Sequence, residues 1–179
     1  MKIEIRPFQT REEYGLMIDY FVQSTQNFLL GMGVDPVKLP AREDWLREVW
    51  DDHHKPGREK DRIYLAWLLD GQLVGHSSIN KIQWGEEASI HLHLWKPLLR
   101  RKGIGATFFR RSANYFFKMP GLRKLYCEPY AENPAPNRVL SKIGFRFVGT
   151  YRTVPGKTCF EQNVNRWELD HEIDELSST

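Results

Sequence analysis

Between an alternating apolar run, Ile90-His91-Leu92-His93-Leu94, and an amphipathic run that starts near Ala106 stands the segment Trp95-Lys96-Pro97-Leu98-Leu99-Arg100-Arg101-Lys102-Gly103-Ile104-Gly105. It reads as the end of a strand, a basic loop and the start of a helix. N–H groups at a helix N-terminus have no intrahelical partner and carry partial positive charge. Three consecutive cations, Arg100, Arg101 and Lys102, lead into Gly103 and Gly105, which let an anion approach that backbone closely. The junction predicts a phosphate or pyrophosphate site and commits the fold to a strand that delivers its end to a helix N-terminus.

The rest of the chain surrounds this junction with recognisable elements. Residues 2–7 alternate as a strand. Thr10 opens a helix with Glu12 and Glu13 in its first turn and Tyr14, Met17, Ile18, Phe21 and Val22 on one face. Ser24 to Pro40 reads as a short helix and a loop. A further helix runs from Ala41, with Trp45, Leu46, Val49 and Trp50 as its stripe, to a breaker cluster at Asp51–Gly57. Ile63–Leu69 and Leu73–Ile79 are strands joined by the hairpin signal Asp70-Gly71. After a turn at Gly85-Glu86-Glu87, Ala88–Trp95 makes another strand. A helix from Gly103 to Lys118 follows, stopped by Pro120-Gly121. Leu125–Glu128 is a short strand. Asn133 caps a helix that Gly144 ends, with Val139, Leu140 and Ile143 inward. Phe145–Thr153 and Thr158–Leu169 are strands around Pro155-Gly156, and the charged tail from Asp170 is expected to fray. A meander followed by one strand–helix–strand crossover predicts a mixed α/β (α+β) fold. Its central twisted sheet has about seven strands, with helices on both faces. No linker or repeat interrupts it, so residues 1–179 read as one domain.

Composition narrows the function. A net charge of +3 suits an anionic ligand without the clustered basic face that nucleic acid demands. Cys127 and Cys159 have no metal spacing and read as buried thiols in a reducing cytosol. The chain starts with an alternating strand rather than an apolar leader, and no apolar run is long enough to cross a bilayer. The expectation is a cytoplasmic protein with no metal, no membrane and no nucleic-acid partner.

Three phosphate sites compete for the loop. A P-loop needs Lys and Ser/Thr after its last glycine, where Ala106 and Thr107 stand here. A dinucleotide fingerprint needs a third glycine where Phe108 stands and a shorter loop, although Glu128 falls where a ribose-binding acid would. The third is the pyrophosphate loop of acyl-CoA-dependent N-acetyltransferases, Arg/Gln-x-x-Gly-x-Gly/Ala, and Arg100-x-x-Gly103-x-Gly105 resembles it. The segment Glu132–Phe145 resembles the second signature of the same superfamily, Asn-x-x-Ala/Ser through Leu-x-x-x-Gly-Phe, at the expected distance and in the expected helix. On these two segments the chain resembles the GNAT (GCN5-related N-acetyltransferase) superfamily. It looks most like the branch with ribosomal-protein N-terminal and small-amine acetyltransferases. The likeness covers roughly residues 60–170 well and the first 60 only in element order.

The resemblance implies a GNAT fold, acetyl-CoA as co-substrate, and acetyl transfer to a primary amine by direct attack. It implies that backbone amides from Arg100 through Arg101, Lys102, Gly103, Ile104 and Gly105 to Ala106 hold the coenzyme pyrophosphate. The pantetheine arm would lie near Leu94, Trp95 and Lys96, in a gap between that strand and Leu125–Glu128. Asn133 and Asn137 would contact the coenzyme, Asn133 being equally readable as a plain helix cap. An N–H near Trp95 would hold the oxyanion. A base is needed, because amines are protonated at neutral pH. His91 and His93 share the relevant strand face, His91 nearest the family position and Glu87 in reserve, although a plain sheet-face role for either histidine stays open. The Tyr that often protonates the leaving thiolate is replaced by Leu140, beside which Ser141, or else Tyr126 or Tyr130, is a substitute. That departure makes a non-catalytic acyl-CoA-binding regulatory module the alternative reading. The acceptor is expected to be a small-molecule amine or a peptide or protein N-terminus, and the protein a monomer or homodimer. Phe28, Leu29, Met32, Trp45, Trp84 and Tyr151 are candidates for the acceptor cleft, and Asp35, Glu43 and Glu128 are acids that would attract a cationic amine.

Overall fold

The structure is a computed structural model that describes residues 2–100, 102–119 and 121–171. Arg101, Pro120 and most of the charged tail, for which a phosphate contact, a helix stop and fraying were expected, lie outside the described residues. Seven strands form one sheet in the order β1-β2-β3-β4-β5-β7-β6. They are β1 (Ile3–Pro7), β2 (Arg62–Leu69), β3 (Gln72–Gln83), β4 (Glu87–Leu94), β5 (Lys124–Cys127), β6 (Arg146–Thr153) and β7 (Gln162–Asp170). Every neighbouring pair is antiparallel except β4 with β5. The helices are α1 (Arg11–Val22), α2 (Gln26–Gly31), α3 (Arg42–His54), α4 (Ile104–Lys118) and α5 (Pro134–Lys142).

Local chemistry sets most element ends. Thr10 accepts from the Glu13 N–H while the Glu13 carboxylate accepts from the Thr10 N–H, a reciprocal cap at the start of α1. Asp70 and Gly71 both take positive φ, 49° and 79°, which a two-residue turn between right-twisted strands requires. Gly103 is the N-cap of α4 in the left-handed region (φ 76°), so the helix proper begins at Ile104.

Two cores lie on opposite faces of the sheet. Leu65, Trp67, Ile79, Ile90 and Leu125 pack against Phe108, Phe109 and Phe116 of α4 and Leu140 of α5. Tyr64, Ala66 and Leu68 pack on the other face against Tyr14, Met17, Ile18 and Phe21 of α1, Leu29 of α2, and Trp45 and Val49 of α3. The alternation of β4 therefore sends Ala88, Ile90, Leu92 and Leu94 toward α4, and Ser89, His91, His93 and Trp95 toward α1–α3.

The last strand starts later than the sequence suggests. Residues 154–161 leave the sheet and arch toward the N-terminal half. Val34 and Cys159 form an isolated antiparallel bridge, the Asp35 N–H donates to Thr158 O at 2.8 Å, and Lys38 Nζ donates to Cys159 O at 2.9 Å. Gln162 Nε2 donates to Gly33 O at 2.7 Å beneath this bridge. Strand periodicity extends into the arch because its residues alternate, but their hydrogen bonds go to the α2–α3 connection.

Candidate active site

At the start of α4 the N–H groups of Ile104, Gly105 and Ala106 precede the first intrahelical bond, Thr107 N–H to Gly103 O, and no side chain caps them. A Cβ on Gly103 would meet nothing within 4 Å. Such an open row of donors fits a pyrophosphate. The Arg100 N–H does not join it, because it donates to Pro97 O at 3.0 Å in the 3-10 turn Pro97–Leu99. The Arg100 side chain instead ties the loop to the strand. Its Nε and Nη2 donate to Leu94 O at 3.2 and 3.1 Å, and its guanidinium lies 4.9 Å from the Phe28 ring centroid.

Beside the cradle the sheet opens. The strands β4 and β5 pair only through Glu87–Lys124, Ala88–Leu125 and Ser89–Tyr126, although β4 continues to Leu94. The Trp95 N–H donates to Val74 O on β3 at 2.9 Å. Peptide groups alternate along a strand, so the N–H of Leu94 points the other way, into the gap, while its C=O on the same side is held by Arg100. This narrows the donor expected near Trp95: the Trp95 N–H itself is spent within the sheet, and that of the adjacent Leu94 faces the opening. An extended amide-bearing chain fits there as an added strand.

The α1–α3 face of the gap carries the histidines. His91 Nε2 lies 3.0 Å from Asn80 Oδ1 and 3.4 Å from Ser89 Oγ. Burial, then Arg62, His93 and Lys81, push its pKa down to about 3. His93 is enclosed by rings: His76 stacks on it at 4.9 Å, and Phe21 and Tyr20 meet it edge-on at 5.0 and 5.7 Å. Burial, then Arg62 and Arg100, lower its pKa to about 4. Trp95 Nε1 donates to His76 Nδ1 at 2.9 Å, which fixes that buried imidazole with its proton on Nε2. Both β4 histidines are therefore neutral at physiological pH, His93 as part of a packed cluster and His91 held through one nitrogen.

The model of the acetyltransferase (GNAT) domain family matches residues 2–146. The chain belongs to the GNAT acetyltransferase family. It is accordingly an acetyl-CoA-dependent N-acetyltransferase, with acetyl-CoA as its co-substrate. No curated protein matches the sequence. Among solved structures, this GNAT acetyltransferase is similar to RimL, a ribosomal L7/L12 alpha-N-protein acetyltransferase in complex with coenzyme A. That match has 16% identity and a TM-score of 0.74, covering 95% of this chain and 94% of the other. Spermidine N-acetyltransferase from Vibrio cholerae, in complex with CoA and spermine, is similar at 19% identity and TM-score 0.73, covering 94% and 95%. Ribosomal-protein-S5-alanine acetyltransferase from Vibrio fischeri is similar at 14% identity and TM-score 0.73, covering 96% and 94%.

The other residues named from the sequence fall differently in this GNAT domain. Asn133 caps α5 through its Oδ1, which accepts from the Ala135 N–H at 3.3 Å. Asn137 is committed to packing. Its Nδ2 donates to Asn133 O and Tyr130 O at 2.7 and 3.2 Å, and its Oδ1 accepts from Trp167 Nε1 and Asn165 Nδ2 at 2.8 and 2.9 Å. That leaves no amide proton for a coenzyme and corrects the expected role. Leu140 is fully buried in the α4–α5 core, while Ser141, one position on, faces solvent. Lys96 and Lys102 are exposed at either end of the loop.

The acids proposed to attract an amine all have partners. Asp35 caps the 3-10 turn Pro36–Lys38, Glu43 pairs with Arg42 at 2.7 Å, and Glu128 accepts from Arg166 Nη1 at 2.9 Å and from the Tyr151 hydroxyl. Arg166 also donates to Glu168 at 2.8 Å and lies 4.1 Å from the Tyr126 ring centroid. Trp84 packs half-buried against the α4-side core, and Leu29 and Trp45 lie inside the other core. Asn80, His76, Tyr20, Arg62 and Arg166 surround the histidines or the gap without any motif to mark them. Among the described residues no group of His, Cys, Asp or Glu is arranged to hold a metal, and no helix is long and apolar enough to cross a membrane.

Proposed function

We propose that the acceptor is a primary amine, carried by a small molecule or by a peptide or protein N-terminus. It is acetylated by direct attack in the cytoplasm, by a monomer or homodimer, with His91 as proton acceptor. The observation that carries this reading is the position of His91. It sits two residues beyond the last β4–β5 pair, on the face opposite the α4 cradle. Acetyl-CoA supplies an acyl group activated as a thioester. The Ile104–Ala106 amides bind its diphosphate, and the stretch of β4 beyond its last pair with β5 aligns its amide-bearing arm in the gap. The amine approaches from the α1–α3 side. As its nitrogen bonds to the acyl carbon its protons become strongly acidic, and a neutral imidazole of low pKa suffices to take one. The C–S bond then breaks and the proton passes to sulfur or water. A coenzyme thiol is acidic enough to leave without a protein acid, which accommodates Leu140. The range of acceptors in the similar structures, a ribosomal-protein N-terminus and spermidine, supports an amine while leaving its carrier to experiment.

The test is thiol release from acetyl-CoA over a panel of small amines, polyamines and N-terminal peptides. Turnover with one class, and a loss of 10²-fold or more in kcat for His91→Ala with coenzyme affinity retained, is expected. Coenzyme binding with silence across the panel favours the regulatory module.

A further inference from the structure

The bond that orients His91 comes from a residue with no part in the family's signatures. Asn80 is the last regular residue of β3 before a register shift, and the next residue, Lys81, has a positive φ of 49°. Bulges re-aim side chains beside active sites, and a non-glycine residue in the left-handed region costs about 1 kcal/mol. Lys81 is held there by its Nζ, which donates to Pro155 O at 3.2 Å in the arch. The bulge puts the Asn80 amide 3.0 Å from His91 Nε2 through Oδ1, which only accepts. His91 must therefore donate from Nε2, and its lone pair lies on Nδ1. Ser89 Oγ, at 3.4 Å, reaches the same nitrogen.

We propose that Asn80 is a positioning residue that holds His91 in the Nε2–H tautomer, so that Nδ1 receives the proton of the attacking amine. The proposal rests on the reading of His91 as proton acceptor. The chemistry explains the choice of an amide. A carboxylate in its place would stabilise the imidazolium and raise the histidine pKa. Asparagine fixes the ring without adding charge and leaves it neutral. The groups facing His91 work the same way: Arg62 on β2, Lys81 on β3 and His93 on β4 all disfavour a second proton. During transfer the amine nitrogen forms the C–N bond and gives one proton to Nδ1. The C–S bond breaks with its electron pair on sulfur, and the imidazolium returns the proton to that thiolate or to water.

Histidine 15N spectra of the labelled protein test this without any acceptor, with the His91 signals assigned by their absence in His91→Gln. The expected wild-type pattern is a protonated Nε2 and a bare Nδ1, without titration from pH 8 to pH 5. Asn80→Leu should lose that single tautomer and lower kcat at least tenfold, with coenzyme affinity and the acceptor KM within twofold. Asn80→Asp should restore the tautomer and much of kcat, and move the His91 titration up by a unit or more. A proton on Nδ1 in the wild type, or an unchanged tautomer in Asn80→Leu, overturns the proposal. If the tautomer depends on Asn80 but neither Asn80→Leu nor His91→Ala alters kcat, the assignment of His91 as proton acceptor fails while Asn80 remains its holder.

Discussion

Gln162 Nε2 donates to the carbonyl of Gly33 at 2.7 Å, joining residues 129 positions apart. Gly33 has φ 81°, and a Cβ there would stand 2.1 Å from Gln162 Oε1. Gly33→Ala therefore adds a strained φ and displaces a buried amide from its partner. The expected cost is about 1–3 kcal/mol, read as a fall in Tm or a lower urea midpoint. Because the bond anchors the arch, the acceptor KM should change more than the coenzyme Kd.

Gly103→Val should behave differently. The position needs φ 76°, which a β-branched residue adopts only under strain, but has open space around it, so folding loses about 1–3 kcal/mol and no packing. The branched side chain would cover the α4 amides. Calorimetric titration with coenzyme A should show a Kd at least tenfold higher, with a Tm change of a few degrees. Equal losses in both would make the glycine purely structural.

Trp95→Phe keeps a ring beside Tyr20 but removes the donor to His76 Nδ1. It strands an acceptor on a fully enclosed imidazole, at a cost of about 1–3 kcal/mol in chemical unfolding. A neutral result would mean that another group or a water satisfies His76.

Stability should fall on mild acidification. His91 and His93 have folded pKa values of about 3 and 4, below the ordinary 6.5, so between these limits the unfolded chain binds more protons and stability rises with pH. A fully depressed histidine contributes about 1.4 kcal/mol per pH unit, less here because both rings are only half-buried. From pH 7 to pH 5 a loss of about 2–3 kcal/mol is expected, which is roughly 5–10 °C in Tm. The paired carboxylates Glu13 and Glu168, held below the ordinary carboxylate value, lose their contribution only in more acid solution. A flat Tm over this window would refute the depressed histidines.

The same depression shapes the rate. A base already neutral at pH 5 adds no break of its own, so kcat/KM should climb tenfold per pH unit until the acceptor's own ammonium group has titrated. A second break near pH 6.5 would return His91 to an ordinary pKa.

The elements were legible where neighbours in sequence decide them: the Thr10–Glu13 cap, the Asp70-Gly71 turn, the left-handed Gly103 and the Asn133 cap are all written within a few residues. The cradle was legible for the same reason. Pairs set by register were not. Nothing near Asn80 in the sequence says that it will face His91, since that depends on the strand alignment and on a bulge. Asn137 shows the converse. It sits in a recognisable signature, yet three distant partners, Tyr130, Asn165 and Trp167, absorb its polar atoms. Composition likewise cannot tell that Glu128 is neutralised by an arginine 38 residues away.

The short pairing of β4 with β5 carries a mechanical consequence. The sheet is two sub-sheets, β1 to β4 and β5 to β6, stitched by three residue pairs. A ligand lying along the unstitched length works as a removable eighth strand, a key driven into a split plank. Coenzyme binding should then slow amide exchange on both flanks of the seam at once, at Leu92 and Leu94 and equally in β5. Its departure would lift that protection from both flanks together.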